Sequence, residues 1–249
     1  IAGATNRTVL EDASSVTATI TVSDLDSAGT NLTLAVSTSA TNIATVAITA
    51  TNAPGATSVV YILGFTLAGN ANGTNTITLV AGDGSATTTN TFVLIVTAVN
   101  DAPSFTLSTN LVMVTEDAGI VTNAAFLTAI SAGPTNEAQT WTFTLSSTGA
   151  ISYLTAPAIS TNGTLTFRTA ANQTGTNTIT IVMLDNGGTN NGGVATCTNS
   201  FSLVVTPVND APTIAGATNR TVLEDASSVT ASITVSDLDS AGTNLTLAV

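Results

Sequence analysis

The chain has 249 residues, of which 43% are hydrophobic and only 7% are charged, and 15 acidic against 3 basic residues give it a net charge of −12. Nucleic-acid binding needs a basic surface, so this charge excludes nucleic acid as a partner. No apolar run is long enough to cross a bilayer, which predicts that the chain does not insert into a membrane.

The first hundred residues alternate apolar and polar side chains in short runs, as half-buried β-strands do. Residues 16–22, for example, place Val, Ala and Ile on one face and Thr on the other. Runs of this kind predict seven strands, at residues 8–10, 16–22, 32–36, 44–50, 58–67, 75–80 and 92–99. No stretch has the apolar spacing of an amphipathic helix.

The next hundred residues have the same character and predict a second set of seven strands. These lie at residues 111–114, 121–130, 140–145, 152–156, 164–168, 178–184 and 200–205. Asn-Gly pairs such as Asn162-Gly163 separate several of the runs and indicate turns. Seven short strands in about 100 residues are typical of an antiparallel β-sandwich, so we expect two such sandwiches.

Two repeats divide the chain into modules. Residues 214–249 repeat residues 1–36 with a single difference, Ser232 for Thr19, and the linker Val-Asn-Asp-Ala-Pro occurs twice. This self-similarity indicates an array of modules. The predicted modules are residues 1–103, 104–212 and 213–249, the last being the N-terminal part of a third sandwich. So short a piece cannot bury a useful core alone, and we expect the chain to be part of a longer protein.

All but one of the acidic residues lie in motifs that recur along the chain. The motifs are Glu-Asp-Ala at 11–13, 116–118 and 224–226, Asp-Leu-Asp at 24–26 and 237–239, Asn-Asp in the linkers, and acidic turns at Asp83 and Asp185. The exception is Glu137. Carboxylates kept at fixed positions are the oxygen ligands that Ca²⁺ prefers. The alternative is that they act only as turn-forming residues.

Strand direction predicts where these carboxylates meet. In a seven-stranded unit the first and last strands run the same way, so the chain enters at one end and leaves at the other. Residues that follow the first strand therefore lie beside the departing linker, whereas residues that follow the second and sixth strands lie where the chain enters. Modules joined in this way are predicted to form a rod with acidic residues at each junction.

The predicted Ca²⁺ ligands fall into three groups. The first junction is predicted to use Glu11, Asn100, Asp101 and Asp185, with Asp12 and Glu137 as further candidates. The second is predicted to use Glu116, Asn209, Asp210, Asp237 and Asp239, with Asp117 as a further candidate. Asp24, Asp26 and Asp83 are expected to serve a junction before residue 1. Mg²⁺ needs a tighter octahedron, and zinc or copper sites need His or Cys, which this chain almost lacks.

The Val-Asn-Asp-Ala-Pro linkers, the early Glu11, Asp-x-Asp after the second strand and Asp-x-Gly after the sixth resemble cadherin repeats. They are most similar to the tandem cadherin-like modules of giant bacterial surface proteins, over the whole chain. The resemblance implies tandem seven-stranded antiparallel β-sandwiches of the immunoglobulin or cadherin type, arranged end to end. It also implies that they lie outside the cell, on a bacterial surface, and that Ca²⁺ binds between them. The second module lacks Asp-x-Asp and has residues 131–137 instead, and neither module has the further acidic motif before the sixth strand. The first junction is therefore expected to hold fewer ions or to bind them more weakly.

Three functions compete on this basis. The leading prediction is a structural segment of a repetitive extracellular fibre or adhesin stalk, stiffened by Ca²⁺ at the linkers and contacting neighbouring repeats of the same protein. The second is a self-assembling filament in which residues 213–249 add strands to the sheet of another copy. The third is an array of carbohydrate-binding modules for surface glycans, although only 4% of residues are aromatic. No enzyme is predicted, because without His or Lys a serine nucleophile lacks its usual base.

Overall fold

The computed structural model describes residues 1–52, 57–240 and 244–248. Residues 53–56, 241–243 and 249 belong to the predicted first and third modules, and those parts of the prediction lie outside the described residues. The described chain is all β and contains, besides strands, only two short 3-10 turns. Over these residues no helix has the length and apolar character needed to cross a bilayer.

The described residues fall into two compact units. The first unit comprises Ile1–Phe105, Ala129–Thr142 and Met183–Cys197. The second comprises Thr106–Thr128, Phe143–Val182 and Thr198–Val249, apart from the residues that are not described. Each unit is considered by itself below.

The seven strands predicted for the first hundred residues are present. They are β1 Arg7–Leu10, β2 Val16–Ser23, β3 Thr33–Thr38, β4 Ala44–Thr51, β5 Ser58–Leu67, β6 Gly73–Gly82 and β7 Thr87–Thr97. Their Thr, Val and Ile content favours this conformation, because branched side chains pack well on a pleated surface.

These strands form two sheets, with orders β2-β5-β4 and β1-β7-β6-β3. Within these sheets β1 runs parallel to β7, from Arg7 opposite Leu94 to Leu10 opposite Thr97, and the pairs β2–β5, β4–β5, β3–β6 and β6–β7 are antiparallel. A parallel first and last strand is what the odd strand count requires. The residues that follow β1 are consequently carried to the same end of the sandwich as the residues that follow β7.

The apolar faces of the two sheets form one core. Ile20 and Leu63 from one sheet, and Ile77, Leu79 and Leu94 from the other, are all 0% exposed. Complete burial of such a side chain contributes about 1.5–3 kcal/mol. The first sandwich is therefore held together by the alternation that the sequence displays.

Nine strands follow in the next hundred residues. They are β8 Ser104–Leu107, β9 Leu111–Thr115, β10 Val121–Asn123, β11 Leu127–Ser131, β12 Trp141–Gly149, β13 Tyr153–Ile159, β14 Leu165–Thr169, β15 Gly175–Asp185 and β16 Thr196–Thr206. The single strand predicted over residues 121–130 is thus two strands, and β8 was not predicted. Ala125 between them has a φ of 53°, in the left-handed region that interrupts extended backbone.

The main sheets here have the orders β10-β14-β13 and β12-β15-β16-β9, and β8 pairs with β11. The first sandwich's parallel pair has a counterpart, because β9 runs parallel to β16. In the core of the second unit the rings of Phe126 and Phe201 meet edge to face, with centroids 4.7 Å apart.

The repeated segment after the second linker keeps only part of the structure of its first copy. Two short strands, β17 Thr213–Ala215 and β18 Thr234–Ser236, pair antiparallel. Their Ala215–Thr234 pair matches the Ala2–Thr21 bridge of the first copy. Elsewhere the two copies differ in burial, and Ile233 is 43% exposed whereas its equivalent Ile20 is fully buried.

Candidate metal centres

Glu11 is held at the end of β1 by the chain that leaves β7. Its backbone N–H donates to the carbonyl of Thr97 at 3.1 Å, which extends the parallel ladder by one residue. Its side chain is 3% exposed, and Oε1 accepts the N–H of Val99 at 2.7 Å. The other carboxylate oxygen, Oε2, is buried without a hydrogen-bond partner.

Glu116 repeats this arrangement at the end of β9. Its N–H donates to the carbonyl of Thr206 at 2.9 Å, and Oε1 accepts the N–H of Val208 at 2.7 Å. The side chain is 4% exposed. The parallel pairing of first and last strands thus carries a buried glutamate to each linker, as the sequence analysis expects.

Three carboxylates of the first unit converge at the first linker. Glu11, Asp101 and Glu137 each offer one oxygen, and these oxygens lie within 4.8 Å of one another. Glu11 Oε2, Asp101 Oδ2 and Glu137 Oε2 are all buried without a partner. Over the part of the chain that the structure describes, this is the single group of at least three acidic, His or Cys side chains so closely placed.

Glu137 reaches this group from the loop that replaces Asp-x-Asp. Its N–H donates to the carbonyl of Pro134 at 3.0 Å, and its Oε1 accepts the N–H of Asp101 at 3.3 Å. Gly133 in the same loop has a φ of +152°. The sequence analysis named Glu137 only as a further candidate, and the one signal that marks it is its position outside the recurring motifs.

Crowding of these carboxylates changes their proton affinity. Burial raises the pKa of Glu137, and the charges of Asp101, Glu11 and Asp185 raise it further, against one opposing backbone hydrogen bond. Burial, followed by the charge of Asp12, raises the pKa of Asp101. Buried like charges favour either a proton or a cation at the site.

Asp185 and Asn100 lie beside this group in a separate hydrogen-bond network. Asp185 is 5% exposed, and its Oδ1 accepts from the N–H of Gly187 at 2.9 Å and from Asn100 Nδ2 at 3.2 Å. Asn100 Nδ2 also donates to the carbonyl of Val194 at 2.7 Å, while Asn100 Oδ1 accepts from Gln139 Nε2 at 2.5 Å. The sequence analysis did not select Gln139, because nothing in its spacing marks it.

The second linker gathers its predicted acidic residues in the second unit. The N–H of Asp210 donates to Asp239 Oδ2 at 2.5 Å, and the N–H of Asp239 donates to Asp237 Oδ1 at 2.9 Å. Asp210 Oδ2 is buried without a partner. Burial raises the pKa of Asp210, with further contributions from Asp239, Asp117, Glu116 and Asp237 in that order. Asn209 is exposed, and its Nδ2 donates to the carbonyl of Asp210.

Asp24, Asp26 and Asp83 belong to turns of the first unit. Asp24 Oδ1 accepts the N–H groups of Asp26 and Ser27, each at 2.9 Å. Asp83 Oδ1 accepts two backbone N–H groups at 2.7 Å, from Ala86 and Ser85, and these bonds lower its pKa. Asp24 and Asp83 line one cavity of about 140 Å³, so the structure does bring these two turns together. Asp26 is exposed.

The carboxylate oxygens at the first linker are suitable ligands for a hard cation. The convergent atoms are carboxylate oxygens, and each of the three side chains has one oxygen that is buried without a partner, which is costly for charged groups. Ca²⁺ accepts 6–8 oxygens in flexible geometry, so carboxylates from a strand end, a linker and a loop fit its requirements. At the second linker one carboxylate oxygen, Asp210 Oδ2, is likewise buried without a partner.

No family model matches the sequence, and no curated protein matches it. The chain is similar to the crystal structure of human protocadherin-24 EC1-2, with 18% identity, 83% of this chain and 97% of that chain covered, and a TM-score of 0.46. It is also similar to the extracellular cadherin domains 1–5 of protocadherin gamma B2, with 16% identity, 97% and 47% covered, and a TM-score of 0.38. An endo-fucoidan hydrolase of glycoside hydrolase family 107 matches with 16% identity, 82% and 27% covered, and a TM-score of 0.27. Since all three TM-scores are below 0.5, the fold rests on the strands and their pairing.

Proposed function

We propose that this chain is a structural segment of a repetitive extracellular fibre or adhesin stalk, built from tandem cadherin-like modules of the kind found in bacterial surface proteins and stiffened by Ca²⁺ at its linkers. The observation that carries the proposal is the set of three buried, unpartnered carboxylate oxygens of Glu11, Asp101 and Glu137. The proposal assigns the chain no catalytic role. The module boundaries that accompany it are residues 1–103, 104–212 and 213–249.

Electrostatics gives the cation its effect. Before screening by solvent, two like charges about 4 Å apart repel by about 4 kcal/mol at an effective dielectric constant of about 20. A dication between three such groups replaces this repulsion with attraction. Glu11 is tied to β7, Asp101 lies in the linker and Glu137 lies in a loop, so a shared ion would fix the linker against both.

The second linker is proposed as a second centre, with Glu116, Asp210, Asp237 and Asp239 as its acidic ligands. A third centre would use Asp24, Asp26 and Asp83. There the oxygens Asp24 Oδ1 and Asp83 Oδ1 already accept two N–H groups each, so turn formation alone accounts for part of this arrangement. We therefore expect the centre at the first linker to bind more strongly than this third centre. The sequence analysis expected weaker binding at the first junction because Asp-x-Asp is absent there, but Glu137 from the loop that replaces this motif adds a carboxylate to Glu11 and Asp101.

Calcium titration with a matched pair of variants tests the proposal. An ion that binds only the folded chain stabilises it by about 2.7 kcal/mol at about 100 times its Kd. Ca²⁺ should therefore raise the Tm, and small-angle scattering should show a stiffer chain with Ca²⁺ than with chelator. Glu11→Gln should weaken both effects. Glu224→Gln should not, because Glu224 lies in the same Leu-Glu-Asp-Ala sequence but is exposed. Equal responses from the two variants, or none from the parent chain, would reject the proposal.

A second candidate function, assembly by strand exchange, is favoured by the repeated segment. Val229 and Ile233 are 52% and 43% exposed, whereas their equivalents Val16 and Ile20 are 8% and 0% exposed against β5 and the opposite sheet. The sheet that holds β2 is therefore the natural complement of residues 229–236, the second copy of β2. In this chain two nearly identical segments, residues 16–23 and 229–236, compete for one place beside β5, and the nearer one has the higher effective concentration. Exchange between copies consequently requires the first segment to detach.

A further inference from the structure

β1 carries an arginine at a position that faces the core. Arg7 and Val9 are partly buried, whereas Thr8 and Leu10 are exposed. The second sandwich has a valine, Val112, at the equivalent position. Arg7 pairs with Leu94 of the last strand of its sandwich, and Val112 pairs with Leu203 of the last strand of the other. Val112 is only 8% exposed, so the first sandwich has a cation where its counterpart has a core side chain.

A cleft of about 820 Å³ opens beside this arginine within the first unit. Polar groups in its lining include Arg7, Asp12, Ser15 and Thr17, and apolar groups include Val9 and Val16. The lining comes from β1, the turn after it and the start of β2, with Val99 after β7 and Asn191 and Gly192 completing it. It combines one cation, one carboxylate, hydroxyl groups and short apolar side chains.

The guanidinium of Arg7 is without a carboxylate partner. Its Nε is buried and makes no hydrogen bond, and no ion pair is found for Arg7 among residues 1–52, 57–240 and 244–248. This is unexpected in a chain with 15 acidic residues and 3 basic ones. A guanidinium offers five N–H donors in a planar fork that matches a carboxylate. Because Arg7 lines the cleft, its guanidinium is suited to a carboxylate brought by a ligand.

We propose that this cleft binds a uronic acid unit of an anionic saccharide. The carboxylate of the sugar pairs with Arg7, its hydroxyl groups bond to Ser15, Thr17 and the carboxylate of Asp12, and the carbon face of the ring contacts Val9. Asp12 disfavours ligands with several negative charges, so a single carboxylate on a polyhydroxylated ring fits the lining best. The cleft adjoins the proposed Ca²⁺ centre at the first linker, because Asp12 follows Glu11 and because Val99, whose N–H bonds to Glu11, also lines the cleft.

A titration with galacturonate, galactose and acetate, followed by NMR chemical-shift changes, tests this assignment. Galacturonate should shift the signals of β1 and the start of β2, and galactose and acetate should each bind at least about tenfold more weakly. Arg7→Gln should abolish the shifts. Arg220→Gln should leave them unchanged, because Arg220 lies in the same Asn-Arg-Thr-Val-Leu sequence but is exposed and outside the cleft.

Arg7→Val provides a variant whose folding is favoured. Val112 occupies the equivalent position in the second sandwich, so a valine fits this site of β1. Arg7→Val should therefore raise the Tm while it abolishes galacturonate binding. Absence of galacturonate binding at about 10 mM to the parent chain would overturn the proposal. Binding that survives Arg7→Val, or acetate binding as strong as that of galacturonate, would overturn it equally.

Discussion

Gly133 approaches Glu137 so closely that a Cβ atom on Gly133 would lie 2.3 Å from Glu137 Oε2. That oxygen is one of the three buried, unpartnered atoms at the first linker. The loop thus places a glycine where any larger residue would move the carboxylate that the loop contributes.

Gly133→Ala should therefore weaken Ca²⁺ binding without unfolding the chain. The added methyl group meets the end of a flexible side chain, which can move away and leave the site. The positive φ of +152° adds about 1 kcal/mol of strain. We expect a roughly tenfold lower affinity by calorimetric titration, worth about 1.4 kcal/mol. Gly188→Ala is the control, because Gly188 also has a positive φ, of +85°, but open space around it. It should lose stability and keep its affinity.

The raised pKa values of Glu137 and Asp101 predict how the metal-free chain responds to pH. A carboxyl whose pKa is higher in the folded chain binds more protons there than in the unfolded chain, so the folded chain loses stability as pH rises. The loss begins at the ordinary pKa values, 4.5 for Glu137 and 3.8 for Asp101, and is complete above the raised pKa values of the folded chain. Thermal unfolding in metal-depleted buffer should show a declining Tm across this window. Glu137→Gln should flatten the decline, and Ca²⁺ should offset it at neutral pH. Asp83, whose pKa is lowered, contributes with the opposite sign in all samples.

Strand exchange predicts opposite behaviour for two identical isoleucines. Ile20→Asp places a charge in the core, where Ile20 is 0% exposed, and should detach β2 from its sheet. The intact residues 229–236 of another chain can then pair with β5, and light scattering should detect oligomers. Ile233→Asp, at a residue 43% exposed, should remain monomeric, and the double variant should not assemble. A monomeric Ile20→Asp variant would contradict strand exchange.

Replacing the single polar side chain of Asn75 should cause a large loss of stability. It is 0% exposed, its Nδ2 donates to the carbonyls of Ala40 and Ala44 at 2.9 Å each, and its Oδ1 accepts the N–H of Ala40 at 3.0 Å. Asn75→Ala removes the acceptor of the Ala40 N–H and one donor to each of the two carbonyls, and it should cost about 3 kcal/mol in denaturant unfolding. The carbonyls keep other donors, the N–H groups of Ile43 and Ala44 for Ala40 and the hydroxyl of Thr38 for Ala44. Asn42→Ala, at an exposed position, should cost less than about 0.5 kcal/mol.

Asn177 extends this prediction to the second unit. It lies in a Gly-Thr-Asn-Thr-Ile-Thr sequence that is the same as that around Asn75, and it bonds the N–H and carbonyl of Ile151 at 2.9 and 2.8 Å. Asn177→Ala should therefore show a similar loss. A change of less than about 1 kcal/mol in either variant would mean that water replaces the lost amide.

The strands were predictable because burial on one face imposes alternation on the sequence. The direction of β1 relative to β7 followed from the number of strands alone. The break at Ala125 was not predictable, since alanine fits either face of a strand and a positive φ is rare for it. Buried Asn75 and Asn177 were not selected either, because an asparagine in a strand pattern gives no sign of the loop that it bonds.

The candidate sites were predictable to the extent that strand ends determine them. Glu11 and Asp101 lie together because parallel β1 and β7 finish at one end of the sandwich. Glu137 was predicted at this junction only as a further candidate, because its position depends on the fold of an irregular loop. For Asn100 the spacing predicts a ligand, and the structure adds its bonds to Gln139 and Asp185, which no spacing reveals. Its role as a ligand stays a prediction.

The parallel pairing of β1 with β7 also determines how the first sandwich would respond to tension. The chain enters through β1 and leaves through β7, and the two strands are paired over four residues, from Arg7–Leu94 to Leu10–Thr97. Pulling on the two ends would slide one strand along the other, so that the paired bonds resist together and do not open one after another. The same pairing in β9 and β16 would give the second sandwich the same resistance to mechanical extension.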